Sequence, residues 1–154
     1  MSGPPAPGRR ALRRGRFSQP NRIYLVTFAT YRRVPWFREF RLGQIMGQNL
    51  EHRNCLLDAR NLCWVVMPDH VHTLLALGQA TLEEILRRLK SRSALLLNRE
   101  IDRNSKFWDS GYHDHALREE EDLLATARYI IANPLRARLV RSVRDYPFWN
   151  AVWL

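Results

Sequence analysis

One stretch limits the fold more than any other: residues 61–77, NLCWVVMPDHVHTLLAL. Two apolar runs, residues 62–67 and 71–77, flank Pro68-Asp69, a pair suited to a tight turn. The spacing predicts a β-hairpin with a buried second strand. Side chains alternate along a strand, so His70 and His72 share one face with Leu74 and Ala76. Val71, Thr73, Leu75 and Leu77 take the other face and can pack a core.

Two imidazoles two residues apart on a rigid strand offer two nitrogen ligands to one cation and leave positions open. That suits catalytic rather than structural metal. A pair of surface histidines is the competing reading, and spacing alone does not separate the two. A histidine-triad hydrolase would need a third alternating histidine, and position 74 is leucine. Cys55 and Cys63, taken with these histidines, match no common zinc spacing and read as reduced, buried thiols. A cytoplasmic protein is expected: no run approaches a membrane span, and the N-terminus lacks an apolar signal core.

A length of 154 residues suits one domain with a real core. The formal net charge of +10 is less ordinary, and among 25 basic residues only Lys90 and Lys106 are lysines. A GC-rich coding bias explains arginine over lysine but not the shortage of acids. Guanidinium groups bind phosphate bidentately and stack on bases, so a polyanionic partner, most simply nucleic acid, is the better inference.

Residues 1–20, rich in Pro, Gly and Arg, are expected to form a disordered basic arm, and residues 21–154 one domain. Residues 22–31, RIYLVTFATY, read as the first strand. Residues 37–53 read as a helix weakened by two glycines. Thr81-Leu-Glu-Glu84 forms a capping box, followed by a stripe of Leu82, Ile85, Leu86, Leu89, Ser93 and Leu96. Arg88, Arg92 and Arg99 lie on another side, either a solvated face or a phosphate-tracking groove. Residues 107–118, FWDSGYHDHALR, predict a loop and then a strand near residues 112–117. A second alternating pair there, His113 and His115, ranks below the first because its neighbours are polar. Asp114 falls on the opposite face from that pair. Glu119, Glu120, Glu121 and Asp122 crowd the first turn of a helix that Pro134 ends. Leu123, Leu124, Ala127, Ile130 and Ile131 form its apolar stripe, and Tyr129 and Asn133 lie one turn apart on its polar side. The aromatic tail, residues 145–154, is expected to pack over the sheet.

Four segments, WVVMPDHVHTLLAL, FWDSGYHDHALR, ARYIIANPLRARLV and DYPFWNAVWL, occur in this order. Together they resemble the REP-associated tyrosine transposases of the HUH single-tyrosine superfamily, over residues 22–154. The resemblance implies an α/β (α+β) fold, a ferredoxin-like or RRM-like sandwich with a central antiparallel sheet and helices mainly on one face. It implies Tyr129 as nucleophile, His70 and His72 as ligands of a divalent ion (Mg2+ or Mn2+), and Asn133 as completing the metal shell. His115 and Arg118 would support the site or contact DNA, as would Arg88, Arg92 and Arg99, while Asp69 has no assigned role.

The implied reaction is cleavage of single-stranded DNA beside a REP-type hairpin, through a 5′-phosphotyrosine that conserves the bond for rejoining. A monomer is expected, with a dimer as the alternative. Two other classes compete: a non-catalytic repeat-binding regulator, which would have lost Tyr129 or a histidine, and an RNA-binding domain, which would carry aromatics in place of the paired histidines.

Overall fold

The structure, a computed structural model, describes residues 18–118 and 122–153. The expected basic arm lies outside the described residues as far as residue 17, as does the acidic run 119–121. Five strands form one sheet: β1 (Ile23–Ala29), β2 (Arg60–Met67), β3 (His70–Ala76), β4 (His113–Ala116) and β5 (Trp149–Ala151). Their order is β4-β1-β3-β2-β5, and every neighbouring pair is antiparallel. The helices are α1 (Phe40–Leu50), α2 (Arg53–Leu56), α3 (Leu82–Glu100), α4 (Leu123–Ile131) and α5 (Asn133–Arg136). Strands β1 to β4 with α1 and α3 give the ferredoxin-like order, as expected. The aromatic tail packs against the sheet as expected through Tyr146 and Phe148, both buried, but it also adds β5 as an edge strand beside β2, and Trp153 stays exposed.

Cross-strand partners share a sheet face. Tyr24, Val26 and Phe28 of β1, Val71, Thr73 and Leu75 of β3, and Trp64 and Val66 of β2 therefore lie together, all buried. Helices α1 and α3 cover this face. Gly47 of α1 explains the cost of glycine in a helix, because a Cβ there would stand 2.7 Å from the Trp64 ring. Two buried polar side chains anchor α3, one of them from α1. Asn49 donates through Nδ2 to the Leu89 carbonyl (2.9 Å) and accepts at Oδ1 from Arg92 (2.8 Å). Ser93 accepts from Trp108 Nε1 at 2.9 Å.

Helix α3 starts as the capping box predicts, with Thr81 Oγ1 accepting from Glu84 N at 3.1 Å. Its buried stripe ends on Leu97 where the sequence suggested Leu96, which is only half-buried. The first helix begins at Phe40, three residues late, because a 3-10 turn (Trp36–Arg38) occupies the start. No helix among the described residues is long and apolar enough to cross a membrane.

Candidate active site

The opposite sheet face carries Thr27 and Ala29 of β1, His70, His72 and Leu74 of β3, and Cys63, Val65 and Met67 of β2. Register adds a point that spacing cannot give. His113 pairs with Thr27, which pairs with His72, and His115 pairs with Leu25, which pairs with Leu74. The second histidine pair thus faces the same side as the first, with β1 between them. Asp114 points the other way, as expected.

His70 and His72 converge. Their Nε2 atoms are 3.1 Å apart and the rings meet edge to face. Each Nδ1 has its own partner: His70 bonds to Asp69 Oδ1 at 2.7 Å, and His72 to Thr27 Oγ1 at 2.8 Å. With both Nδ1 atoms donating, two Nε2 lone pairs would face each other and a cation would satisfy them; with one Nε2 protonated the two rings hydrogen-bond directly. A separation of 3.1 Å is also what two neighbouring ligands about 2.1 Å from one ion would show. A carboxylate behind a ligating imidazole fixes its tautomer and ring orientation, and Asp69 is so placed. Arg33 Nε reaches the other Asp69 oxygen at 3.2 Å. Among the described residues no group of three or more His, Cys, Asp or Glu could hold a metal. The donor set therefore fits an open two-nitrogen site and not a closed structural one.

Burial holds the His72 imidazole down to about 4, helped by His70, Arg136 and Arg33. It is neutral at physiological pH, the form that ligates metal. Burial pushes the nearby Cys63 thiol up to about 12, so Cys63 is an inert core group.

Helix α4 lies on this same face, where Cys63 Sγ donates to the Ala127 carbonyl at 3.7 Å. Asp122 caps it, Oδ1 accepting from Leu124 N (2.9 Å) and Ala125 N (3.2 Å). Its buried stripe is narrower than the sequence suggested: Ala127 and Ile130 are buried, whereas Leu124 is 43% exposed. Pro134 ends α4 as predicted, but the chain then turns into α5 with the proline near its start. Tyr129 is 59% exposed, and the Arg136 guanidinium lies 3.7 Å from its ring centroid.

Asn133 sits one turn beyond Tyr129, as expected, with its amide nitrogen folded back onto the carbonyls of Ile130 (2.9 Å) and Tyr129 (3.4 Å). Only Oδ1 remains as a ligand atom. The α3 arginines are further from this chemistry, on the helix that covers the other face. Arg88 pairs with Glu84 at 2.8 Å and donates to Asn54 O, and Arg92 is held by Asn49, while Arg99 is exposed.

Sequence reasoning missed Thr27, Arg33, Asp69 and Arg136. For Arg136 a signal existed: it lies seven residues, two helical turns, beyond Tyr129.

The sheet is ferredoxin-like, and helix α4, which bears the exposed Tyr129, covers the face that carries the histidine pair. The family model for IS200-like transposases matches residues 19–133, and the chain belongs to that family. Within it the chain is similar to REP-associated tyrosine transposases. A relative in Escherichia coli K12 so described is 29% identical over 87 residues, covering 55% of this chain and 50% of that protein. One in Haemophilus influenzae, provisionally given the same description, is 29% identical over 94 residues, covering 54% and 53%. The chain spans about half the length of the curated relatives it matches. A solved REP-associated tyrosine transposase bound to a REP hairpin shares the fold, with a TM-score of 0.69 at 20% identity over 87% of this chain and 79% of that one.

Proposed function

We propose that this chain cleaves and rejoins single-stranded DNA at the foot of a REP-type hairpin. Tyr129 is the nucleophile, and His70 and His72 hold a divalent ion, Mg2+ or Mn2+, with Asn133 Oδ1 as a further ligand. The observation that carries this reading is the convergence of the two Nε2 atoms, each ring fixed from behind, on the face that α4 covers with an exposed tyrosine.

In the proposed step Tyr129 Oη attacks phosphorus and the 3′ oxygen leaves. The products are a 5′-phosphotyrosine and a free 3′-hydroxyl, which can reverse the reaction without an external energy source. An ion on the histidines would neutralise charge on a non-bridging phosphate oxygen. The guanidinium of Arg136 lies against the Tyr129 ring, where its positive charge would offset the negative charge that gathers as the phosphodiester is attacked. His115 on β4 and Arg118 just beyond it would contact the DNA from the histidine face. Arg99 remains a candidate phosphate contact, while Arg88 and Arg92 first serve the packing of α3.

The test is incubation with labelled hairpin DNA and Mn2+, followed by denaturing electrophoresis. A covalent adduct is expected from the wild type and none from Tyr129→Phe, which should still bind the hairpin. Near wild-type cutting by Tyr129→Phe would remove Tyr129 from its role. Tight hairpin binding with no adduct from the wild type would favour a repeat-binding regulator. A single protomer is proposed to suffice, so adduct yield per chain should not depend on protein concentration.

A further inference from the structure

Residues 31–38, YRRVPWFR, leave β1 at the end where Ala29 pairs with His70. The segment is fastened to the turn that starts the histidine strand. Thr30 N donates to Asp69 O at 2.9 Å, Phe37 N to Pro68 O at 3.0 Å, and Arg33 Nε pairs with Asp69. On its outer side cations and aromatic rings interleave. Arg32 lies 5.2 Å from the Tyr31 ring centroid and Lys106 4.8 Å from the same ring, while Arg103 lies 5.1 Å from the Trp36 ring. Trp36 in turn stacks on Phe107 at 6.1 Å. Among the described residues no carboxylate pairs with Arg32, Arg38, Arg103 or Lys106. Arg32 and Arg33 also both hold left-handed backbone, φ 58° and 57°, which is costly for non-glycine residues and tends to collect at functional sites.

We propose that this loop, with Arg103 and Lys106, holds single-stranded DNA as it approaches the histidine site. The inference rests on the reading of the chain as a single-strand nuclease. Arg32, Arg103 and Lys106 share this surface with no carboxylate paired to them among the described residues, and a phosphate backbone relieves their mutual repulsion. Rings and guanidinium planes between the cations offer stacking surfaces, which unpaired bases can use and duplex bases cannot. Continuity with the site is short: Arg33 of the loop pairs with Asp69, and Asp69 hydrogen-bonds His70. A strand lying across the loop is led to the two imidazoles.

Fluorescence anisotropy of a labelled 12-nucleotide oligo(dT) tests this, in the Tyr129→Phe background with chelator so that no cleavage intervenes. Arg103→Ala/Lys106→Ala is compared with Arg53→Ala/Arg60→Ala, which removes the same charge elsewhere. Arg60 is exposed and pairs with Ala76, at the opposite end of β3 from His70. The loop variant should bind roughly tenfold more weakly than the control variant, and the slope of log affinity against log salt should fall by about 1.4 for two lost contacts. Equal loss in both variants, or tighter binding of the matching oligo(U) than of oligo(dT) by the parent, would overturn the proposal. Failure of the nuclease reading shows separately, as a wild type that forms no adduct while these affinities stand.

Discussion

The two faces of one sheet use the same strand for opposite ends. Under α1 and α3, every β3 side chain from Val71 to Leu75 that points inward is fully buried among Tyr24, Val26, Phe28 and Trp64. On the other side the alternate residues His70 and His72 are only half-buried, and the nine-residue α4 covers the face in part. The first face stores stability, and on the proposed reading the second displays chemistry. A period of two lets a single seven-residue strand, β3, do both without compromise, because each side chain answers to one face only. The rigidity that holds the Nε2 atoms 3.1 Å apart therefore comes from packing that no ligand touches.

The sharpest way to break this division is to cut each face in turn. His72→Ala should reduce adduct formation by roughly 1,000-fold, equivalent to about 4 kcal/mol of barrier, with unfolding stability within about 1 kcal/mol of wild type. Gel kinetics and urea denaturation check both halves, and a collapse in stability with matching activity loss would erase the distinction. Leu75→Ala, three residues on and fully buried, should do the reverse. It should cost about 2–5 kcal/mol of stability while cleavage per folded molecule changes little.

How much of this was legible in the sequence follows from the range of each interaction. The hairpin, the His70/His72 face, the Thr81 cap and the Tyr129–Asn133 turn depend on neighbours a few residues apart, and periodicity reveals them. Thr27 lies 45 positions from His72, and only the register of β1 on β3 makes it the partner of the imidazole. The same register places His113 and His115 on the histidine face, which their polar neighbours had obscured. Strand β5 escaped because three residues are too few to show alternation. Arg136 was hidden by Pro134, which reads as a stop although the chain resumes helix behind it. Likewise, the groups that hold Arg88 and Arg92, Glu84 apart, come from elsewhere in the chain, so the helix alone does not show them.

Acid should separate the faces next. Metal-free His72 titrates at about 4 in the folded chain, against 6.5 for a free imidazole. Burial is the main cause, with His70, Arg136 and Arg33 adding to it. The folded state binds fewer protons than the unfolded one between these values. The contribution is therefore complete above 6.5 and is lost as pH falls toward 4, for a total of about 3 kcal/mol. With chelator present, urea midpoints at pH 7 and pH 4 should differ more for wild type than for His72→Gln by up to that amount. Identical pH dependence in the two would mean that the histidine face is wetter than the structure has it.

The smallest expected effect comes from the turn that belongs to neither face. Asp69 accepts from His70 Nδ1 at 2.7 Å and pairs with Arg33 at 3.2 Å, so its charge sits behind one imidazole and anchors the basic loop. Asp69→Asn keeps the size and an acceptor but removes the charge behind the imidazole and frees Arg33. Mn2+ affinity, read by calorimetry, should weaken by about 10- to 100-fold. Thermal stability should move little, because the pair is partly solvent-exposed and such bridges contribute about 0–1 kcal/mol. If instead the melting temperature falls while Mn2+ affinity is unchanged, Asp69 serves the fold alone. The boundary between the storing and the displaying face would then run through the turn, and the imidazoles would owe their orientation to Thr27 and to the strand itself.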